Sequence, residues 1–152
     1  MALDMFLKID TLNGTVTQKG YEHYIEVTSF SWGESTEYDP ATGQGSRPEV
    51  GGLTLVSPTS LASPKLALAG FTGIHFKSVT LTVLGDRPNG QAYKELFIKI
   101  EDALVTSFSF QGAEHTSLTD RYVLAFRKAD ITTYSPRSGG SSAVSIDLRQ
   151  LG

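Results

Sequence analysis

Hydrophobic and polar residues alternate with a period of two along much of the chain, the spacing of a half-buried β-strand. The first strand has Leu3, Met5, Leu7 and Ile9 on one face. In the segment 24–32 the apolar positions change parity, from Ile25 and Val27 to Phe30 and Trp32, as a β-bulge would require. Further strand candidates are residues 53–56, 79–84, 95–100, 103–110, 121–127, 131–134 and 144–148. About nine short strands predict a mainly β fold, a β-barrel or sandwich of antiparallel sheets.

One segment departs from this alternation. Ser63 and Pro64 offer an N-cap followed by proline at the first helical position, and residues 66–69 are helix formers. Gly70 or Gly73 can end the helix. We therefore predict one short α-helix at about residues 64–72, which plugs an open end of the barrel.

The stretch 38–52 reads YDPATGQGSRPEVGG and has no apolar periodicity. Its glycines and prolines predict a long exposed loop within a single domain that spans residues 1–152. Long loops in compact domains are often functional.

Length and charge narrow the classes of function. The chain has 152 residues, a formal net charge of -3 and no cysteine, which excludes disulfides and thiolate chemistry. Because no basic block and no long apolar run occur, we expect neither nucleic-acid binding nor membrane insertion. The charged residues near the start do not resemble a signal peptide, so synthesis in the cytoplasm is expected.

Candidate catalytic groups are sparse. His23, His75 and His115 lie far apart in sequence, and the common nucleophile, phosphate-loop and dinucleotide motifs are absent. Glu101 and Asp102 are adjacent at an expected strand end, where their side chains should point to opposite faces. We therefore expect no enzyme, no metal and no cofactor. The aromatic residues Phe30, Trp32, Phe108 and Phe110 fit a core, with a ligand platform as the alternative.

Several longer blocks carry a resemblance to a known family. They are MALDMFLKID at the start, IEVTSFSWG at 25–33, ASPKLALAGFTGIHF at 62–76, ELFIKIEDALVTSFSFQG at 95–112 and LAFRKADITTYSP at 124–136. Together they make the chain resemble the haemolysin-coregulated protein (Hcp) family, the tube subunits of bacterial type VI secretion systems. The segment TGQGSRPEVGG departs from the family, since Arg47, Pro48 and Glu49 stand where many relatives have consecutive glycines.

The resemblance implies a β-barrel of two antiparallel sheets with a flanking helix. Six copies would form a ring, and rings would stack into a tube that a contractile sheath encloses and a spike tips. The implied partners are further copies of the chain, the sheath, spike and baseplate proteins, and small effector proteins carried in the channel. The tube would leave the cytoplasm for the extracellular space or a target cell without a signal peptide. Alternatives are the tail tube of a phage or extracellular contractile particle, and a monomeric β-barrel that binds a ligand.

Two sets of residues are expected to act in such a tube. Strand alternation places Ser31 on the face opposite Phe30 and Trp32. By the resemblance this outer face lines the lumen, so Ser31 is the predicted effector contact. We assign ring stacking to the loop that contains Gly43, Gly45, Arg47 and Glu49, in which Arg47 and Glu49 could pair across rings.

Overall fold

A computed structural model of the chain describes residues 4–45, 49–86, 90–135 and 139–150. Strands and one helix follow each other in the order β1 (Asp4–Ile9), β2 (Ile25–Val27), β3 (Ser29–Ser35), β4 (Tyr38–Asp39), β5 (Gln44–Gly45), β6 (Glu49–Pro58), α1 (Ser63–Thr72), β7 (His75–Asp86), β8 (Ala92–Gln111), β9 (Thr119–Ala125), β10 (Lys128–Tyr134) and β11 (Ser141–Asp147). A short 3-10 turn, Leu148–Gln150, follows β11. The predicted mainly β fold with one short helix is confirmed.

Nine of these strands form one antiparallel sheet in the order β2-β1-β7-β8-β9-β6-β3, with β10 added to β8 and β11 added to β10. The pair β4-β5 is a separate two-stranded sheet. The large sheet consists of two halves that share β8. The first half contains β1, β2, β7, β10 and β11, and the second contains β3, β6 and β9.

Two of the points at which the chain passes from one half to the other are corners in or between strands, one within β8 and one between β2 and β3. Within β8, residues 92–104 pair with β7 and residues 96–101 with β10, whereas residues 104–111 pair with β9. Asp102 lies at this change of partner with a left-handed φ of 55°. The strands predicted at 95–100 and 103–110 are therefore one strand, and Glu101 and Asp102 lie in its middle rather than at a strand end.

The second corner is Thr28, which separates β2 from β3. β2 pairs with β1 and β3 pairs with β6, and the backbone N–H of Thr28 donates to the carbonyl of Val56 at 2.8 Å. The predicted change of parity occurs at Thr28, where the chain leaves the first half of the sheet and enters the second. A register shift between Trp32 and Glu34 follows further along β3.

Both halves bury their inner faces in one core. Fully buried side chains from the first half include Leu7, Leu81 and Ile100, and those from the second half include Leu55 and Leu124. Phe30, Trp32 and Phe108 pack against this core from partly buried positions, whereas Phe110 is 57% exposed. The predicted core role therefore holds for the first three aromatic residues.

Helix α1 lies between β6 and β7 and buries Leu66 and Ala69 in the core. Its N-cap is Ala62, without a side-chain hydrogen bond, so Ser63 is the first helical residue rather than the predicted cap. The side chain of Ser63 has other partners: it accepts the Ser60 N–H at 2.9 Å and donates to Asp120. Gly73 ends the helix in a left-handed conformation, with its N–H donating to the carbonyl of Ala69 at 2.9 Å.

The prediction of a long exposed loop at residues 38–52 is wrong in part, because parts of this segment form strands. Residues 38–39 and 44–45 form the hairpin β4-β5, and β6 already begins at residue 49. Residues 49–50 pair with the end of β3, so the backbone continues the ladder although the side-chain pattern shows no periodicity. Residues 46–48, which include Arg47, lie outside the described ranges.

Candidate functional site

The outer surface of the second half of the sheet consists mainly of small polar side chains. One cross-strand row pairs Ser31 with Thr54, Thr54 with Val123, and Val123 with Ser107. The adjacent row pairs Ser29 with Val56, Val56 with Arg121, and Arg121 with Ser109. These eight residues are called the serine face below. Arg121 is the one charged residue among them, so the face is polar but weakly charged.

Ser31 lies on the serine face as strand alternation predicts. It is exposed, while its neighbours Phe30 and Trp32 point to the core. The Trp32 ring stacks on Phe126 with a centroid distance of 5.0 Å and an interplanar angle of 22°. Since aromatic packing fixes this part of β3, Ser31 is held on the outside. Its role in a lumen stays a prediction.

The residues assigned to ring stacking lie in and next to the β4-β5 hairpin. Gly43 has a φ of 71° in the turn, where its N–H donates to the carbonyl of Asp39 at 2.8 Å. Gly45 pairs with Tyr38 across the hairpin, and the Tyr38 side chain is 66% exposed. The backbone of Glu49 pairs with Ser35 at the start of β6. Because Arg47 lies outside the described residues, the expected Arg47–Glu49 pairing stays a prediction.

A cleft that sequence reasoning missed lies at the Asp102 corner. Nδ1 of His75 is 2.9 Å from Oδ1 of Asp102, and both side chains are about half exposed. The cleft has a volume of about 440 Å³ and is also lined by Leu104, Ala125, Phe126, Arg127, Leu148 and Arg149. No hydroxyl or thiol group is present among these lining residues, so the His75–Asp102 pair has no nucleophile beside it there.

Two further findings concern metals and membranes. In the described part of the chain, no three histidine, aspartate or glutamate side chains cluster as a metal site would require. Across the same four ranges, no helix has the length and apolar character needed to cross a bilayer.

The chain belongs to a class of mainly β proteins with one short helix, and solved structures with this fold cover almost the whole chain. A type six secretion system protein superposes with a TM-score of 0.88 at 20% identity, covering 99% of both chains. Hcp1 from Salmonella typhimurium superposes with a TM-score of 0.82 at 24% identity, covering 98% of this chain and 97% of that one. The secreted protein Hcp3 from Pseudomonas aeruginosa superposes with a TM-score of 0.71 at 18% identity, covering 98% of this chain and all of that one. No curated protein matches the chain.

The family is established by the sequence match. The family model described as "Type VI secretion system effector, Hcp" matches residues 6–133. The chain therefore belongs to the Hcp family and is a tube protein of the type VI secretion system.

Proposed function

We propose that six copies of this chain, each acting as one domain, form a ring, and that the rings stack into the inner tube of a type VI secretion system. The tube is assembled in the cytoplasm inside a contractile sheath, contacts the spike and baseplate proteins, and is expelled from the cell when the sheath contracts. Its role is structural and non-enzymatic, and small effector proteins are carried in its lumen.

The observation that carries the ring assignment is the presence of three edge strands in the large sheet. Among the described residues, β2 pairs only with β1, β3 only with β6, and β11 only with β10. Edge strands are templates for pairing with another chain, and a closed ring covers them without open-ended aggregation. Residues 141–145 of β11 are exposed throughout, which is what a strand covered by a neighbouring copy requires.

The serine face supports the cargo assignment. Serine and threonine side chains are small and can donate and accept hydrogen bonds, so they suit a wall that contacts different proteins. With this face turned inward, Ser31 is repeated six times around the lumen of a six-membered ring. The β4-β5 hairpin, with its exposed Tyr38, would contact the next ring in the stack.

Sedimentation velocity and electron microscopy of the purified protein test the proposal. We expect a ring-sized species and ring-shaped particles. We also expect the sedimentation coefficient to be unchanged when the ionic strength is raised from about 0.1 M to about 1 M, which shortens the screening length from about 10 Å to about 3 Å. A monomer at micromolar concentration would contradict the ring and favour the alternative of a monomeric ligand-binding barrel.

The tail tube of a phage or extracellular particle would also form rings. Secretion separates that alternative from the proposed function. In the native bacterium, deletion of the type VI sheath gene should abolish export of the chain. Export that continues without the sheath would assign the chain to a different machine.

A further inference from the structure

The cleft at the Asp102 corner is built from four separate segments of the chain. His75 begins β7, and Asp102 lies within β8. Arg127 lies in the short link between β9 and β10, and Arg149 lies in the 3-10 turn after β11. The N–H of Arg127 donates to the carbonyl of Glu101 at 3.1 Å, and its own carbonyl accepts an N–H from that turn at 2.8 Å. Because both of its backbone groups are bonded, the fold itself holds Arg127 at the cleft.

The charged groups of the cleft are not all paired. Asp102 is engaged by His75 at 2.9 Å. Asp147 is engaged by Arg149, whose Nε is 3.6 Å from Oδ1 and whose backbone N–H donates to the same oxygen at 3.0 Å. Among the residues that the structure describes, Arg127 forms no ion pair, and its Nε is buried without a hydrogen-bond partner. The cleft therefore holds one guanidinium group whose charge no carboxylate of the chain takes up.

An unpaired guanidinium nitrogen of this kind indicates a ligand. Buried polar groups in folded proteins nearly always have a hydrogen-bond partner, so an exception requires an explanation. Since no hydrogen bond holds Nε of Arg127, the guanidinium group can turn towards a ligand without breaking a bond at that atom. Arginine binds carboxylates through two parallel N–H···O bonds, which are stronger than hydrogen bonds between neutral groups. Arg127 therefore suits an anion that presents two oxygens.

The remaining wall of the cleft is apolar. Leu104, Ala125 and Leu148 line it from half-buried positions, and Phe126 lies beside them. The volume of about 440 Å³ is within the range of about 300–1,000 Å³ that is typical of sites for small organic molecules. Such sites combine an apolar lining with a few polar groups that fix the orientation of the ligand. An apolar group attached to the anion would thus have its own contact surface.

We propose that this cleft binds a small organic carboxylate. Its carboxylate group is bound by Arg127, and its alkyl or aryl part packs against Leu104 and Leu148. Arg149 adds a second positive charge at the rim, where its side chain is 65% exposed. The site lies apart from the serine face and from the β4-β5 hairpin, so it adds a binding activity to a structural subunit and does not depend on a ring.

Saturation-transfer NMR of the purified full-length protein with 4-phenylbutyrate tests the site. This probe joins a carboxylate to a phenyl group through a short alkyl chain, and we expect saturable binding with a dissociation constant of about 1 mM or lower. The uncharged 4-phenylbutyramide, acetate and inorganic phosphate should each bind at least about tenfold more weakly. Equal binding of the amide would indicate a merely apolar cleft, and equal binding of acetate or phosphate would indicate a bare anion site. Either result would overturn the proposal.

Two variants locate the binding. Arg127→Gln should weaken the binding of 4-phenylbutyrate by about tenfold or more, because a neutral side chain replaces the guanidinium group. Arg149→Glu should weaken it by about threefold, since it reverses the charge at the rim. Arg149 is exposed, so this variant still tests the site if Arg127→Gln does not fold.

The matched control is Arg121→Gln, which removes an exposed arginine from the serine face and should bind the probe normally. Equal losses in Arg121→Gln and the two cleft variants, or normal binding by the cleft variants, would overturn the site. Probe binding is measured whether or not the protein forms rings. Failure of this site and failure of the proposed tube are therefore separate results.

Discussion

The hydroxyl of Ser63 donates a hydrogen bond to Oδ2 of Asp120, and so connects the first residue of α1 to strand β9. Thr59 donates to the other oxygen, Oδ1, at 2.8 Å. Asp120 is only 1% exposed, and a buried carboxylate is tolerated only where hydrogen bonds replace its lost hydration. This pair of donors holds the start of α1 in place on the sheet.

Ser63→Ala should therefore lower the free energy of unfolding by about 1–3 kcal/mol, because it leaves one oxygen of a buried carboxylate without a donor. Urea denaturation followed by circular dichroism measures the change. The control is Thr72→Ala, which removes an exposed hydroxyl that donates to Leu68 in the same helix and should cost about 0.5 kcal/mol or less. Equal losses in the two variants would contradict a special role for the Ser63–Asp120 bond.

The buried, hydrogen-bonded pair of Tyr122 and Ser57 predicts that the free energy of unfolding decreases at alkaline pH. Burial raises the pKa of the Tyr122 phenol well above its usual range, while the hydrogen bond with Ser57, 2.9 Å away, acts in the opposite direction. The neutral phenol is favoured in the folded state, and in the unfolded state its pKa is about 10. The Tyr122 contribution to stability should thus be constant below about pH 10 and decrease as the pH rises further.

The measurement is the free energy of unfolding of the wild-type protein and of Tyr122→Phe between about pH 8 and about pH 11. The phenylalanine variant should be less stable at the lower end of this pH range, because Ser57 loses its buried partner. It should also lose less stability than the wild type as the pH rises above about 10. Parallel pH curves for the two proteins would refute the prediction.

Ser31→Gln tests the proposed lumen. Because Ser31 is exposed and makes no core contact, rings should form at wild-type levels, while six larger side chains narrow the channel and reduce the recovery of effector proteins. Co-purification of effectors with rings measures the effect. Ser117→Gln, in the exposed turn before β9, is the control and should retain cargo. Full effector recovery by Ser31→Gln would remove Ser31 from the cargo surface.

Tyr38→Ala tests the stacking role of the β4-β5 hairpin. Large aromatic side chains contribute much of the free energy at protein interfaces, and Tyr38 is 66% exposed. We expect single rings to persist and stacked tubes to become shorter and fewer in electron micrographs. Thr42→Ala, in the same hairpin, should form tubes of normal length. Normal tubes from Tyr38→Ala would argue against contact between this hairpin and the next ring.

The left-handed backbone at Asp102 predicts that glycine is tolerated better than valine at this position. At a φ of 55°, Asp102→Gly should be tolerated within about 1 kcal/mol, because glycine adopts this conformation freely. Asp102→Val should cost at least about 1–2 kcal/mol more, because β-branched residues are strongly disfavoured there. Urea denaturation of the two variants measures the difference between their free energies of unfolding. If valine were tolerated as well as glycine, the left-handed backbone would not constrain this position.

Alternation predicted the strands well where one face is fully buried. Met5, Leu7 and Ile9 are all buried on one side of β1, and the parity change before Phe30 marks a real corner at Thr28. The pattern failed where the backbone changes partner without a turn residue. Asp102 interrupts the apolar positions of β8 as a loop residue would, yet the strand continues through it.

Which residues meet in the cleft and on the serine face depends on the register between paired strands. The hydrophobic pattern of the sequence does not determine that register. His75 and Asp102 are 27 residues apart and meet only because β7 and β8 pair in one particular register. The serine face likewise requires four strands to align Ser31 with Thr54, Val123 and Ser107. Ser31 itself was predictable, since its orientation follows from its two aromatic neighbours alone.

Strand β8 has 20 residues, and its length affects how the chain folds. This strand supplies a hydrogen-bonding edge to β7, β10 and β9 and a packing surface to α1. Loss of either sheet half would leave part of β8 unpaired and expose the shared core to water. We therefore expect the two halves to fold together as one unit, and their long-range strand pairing favours slow folding.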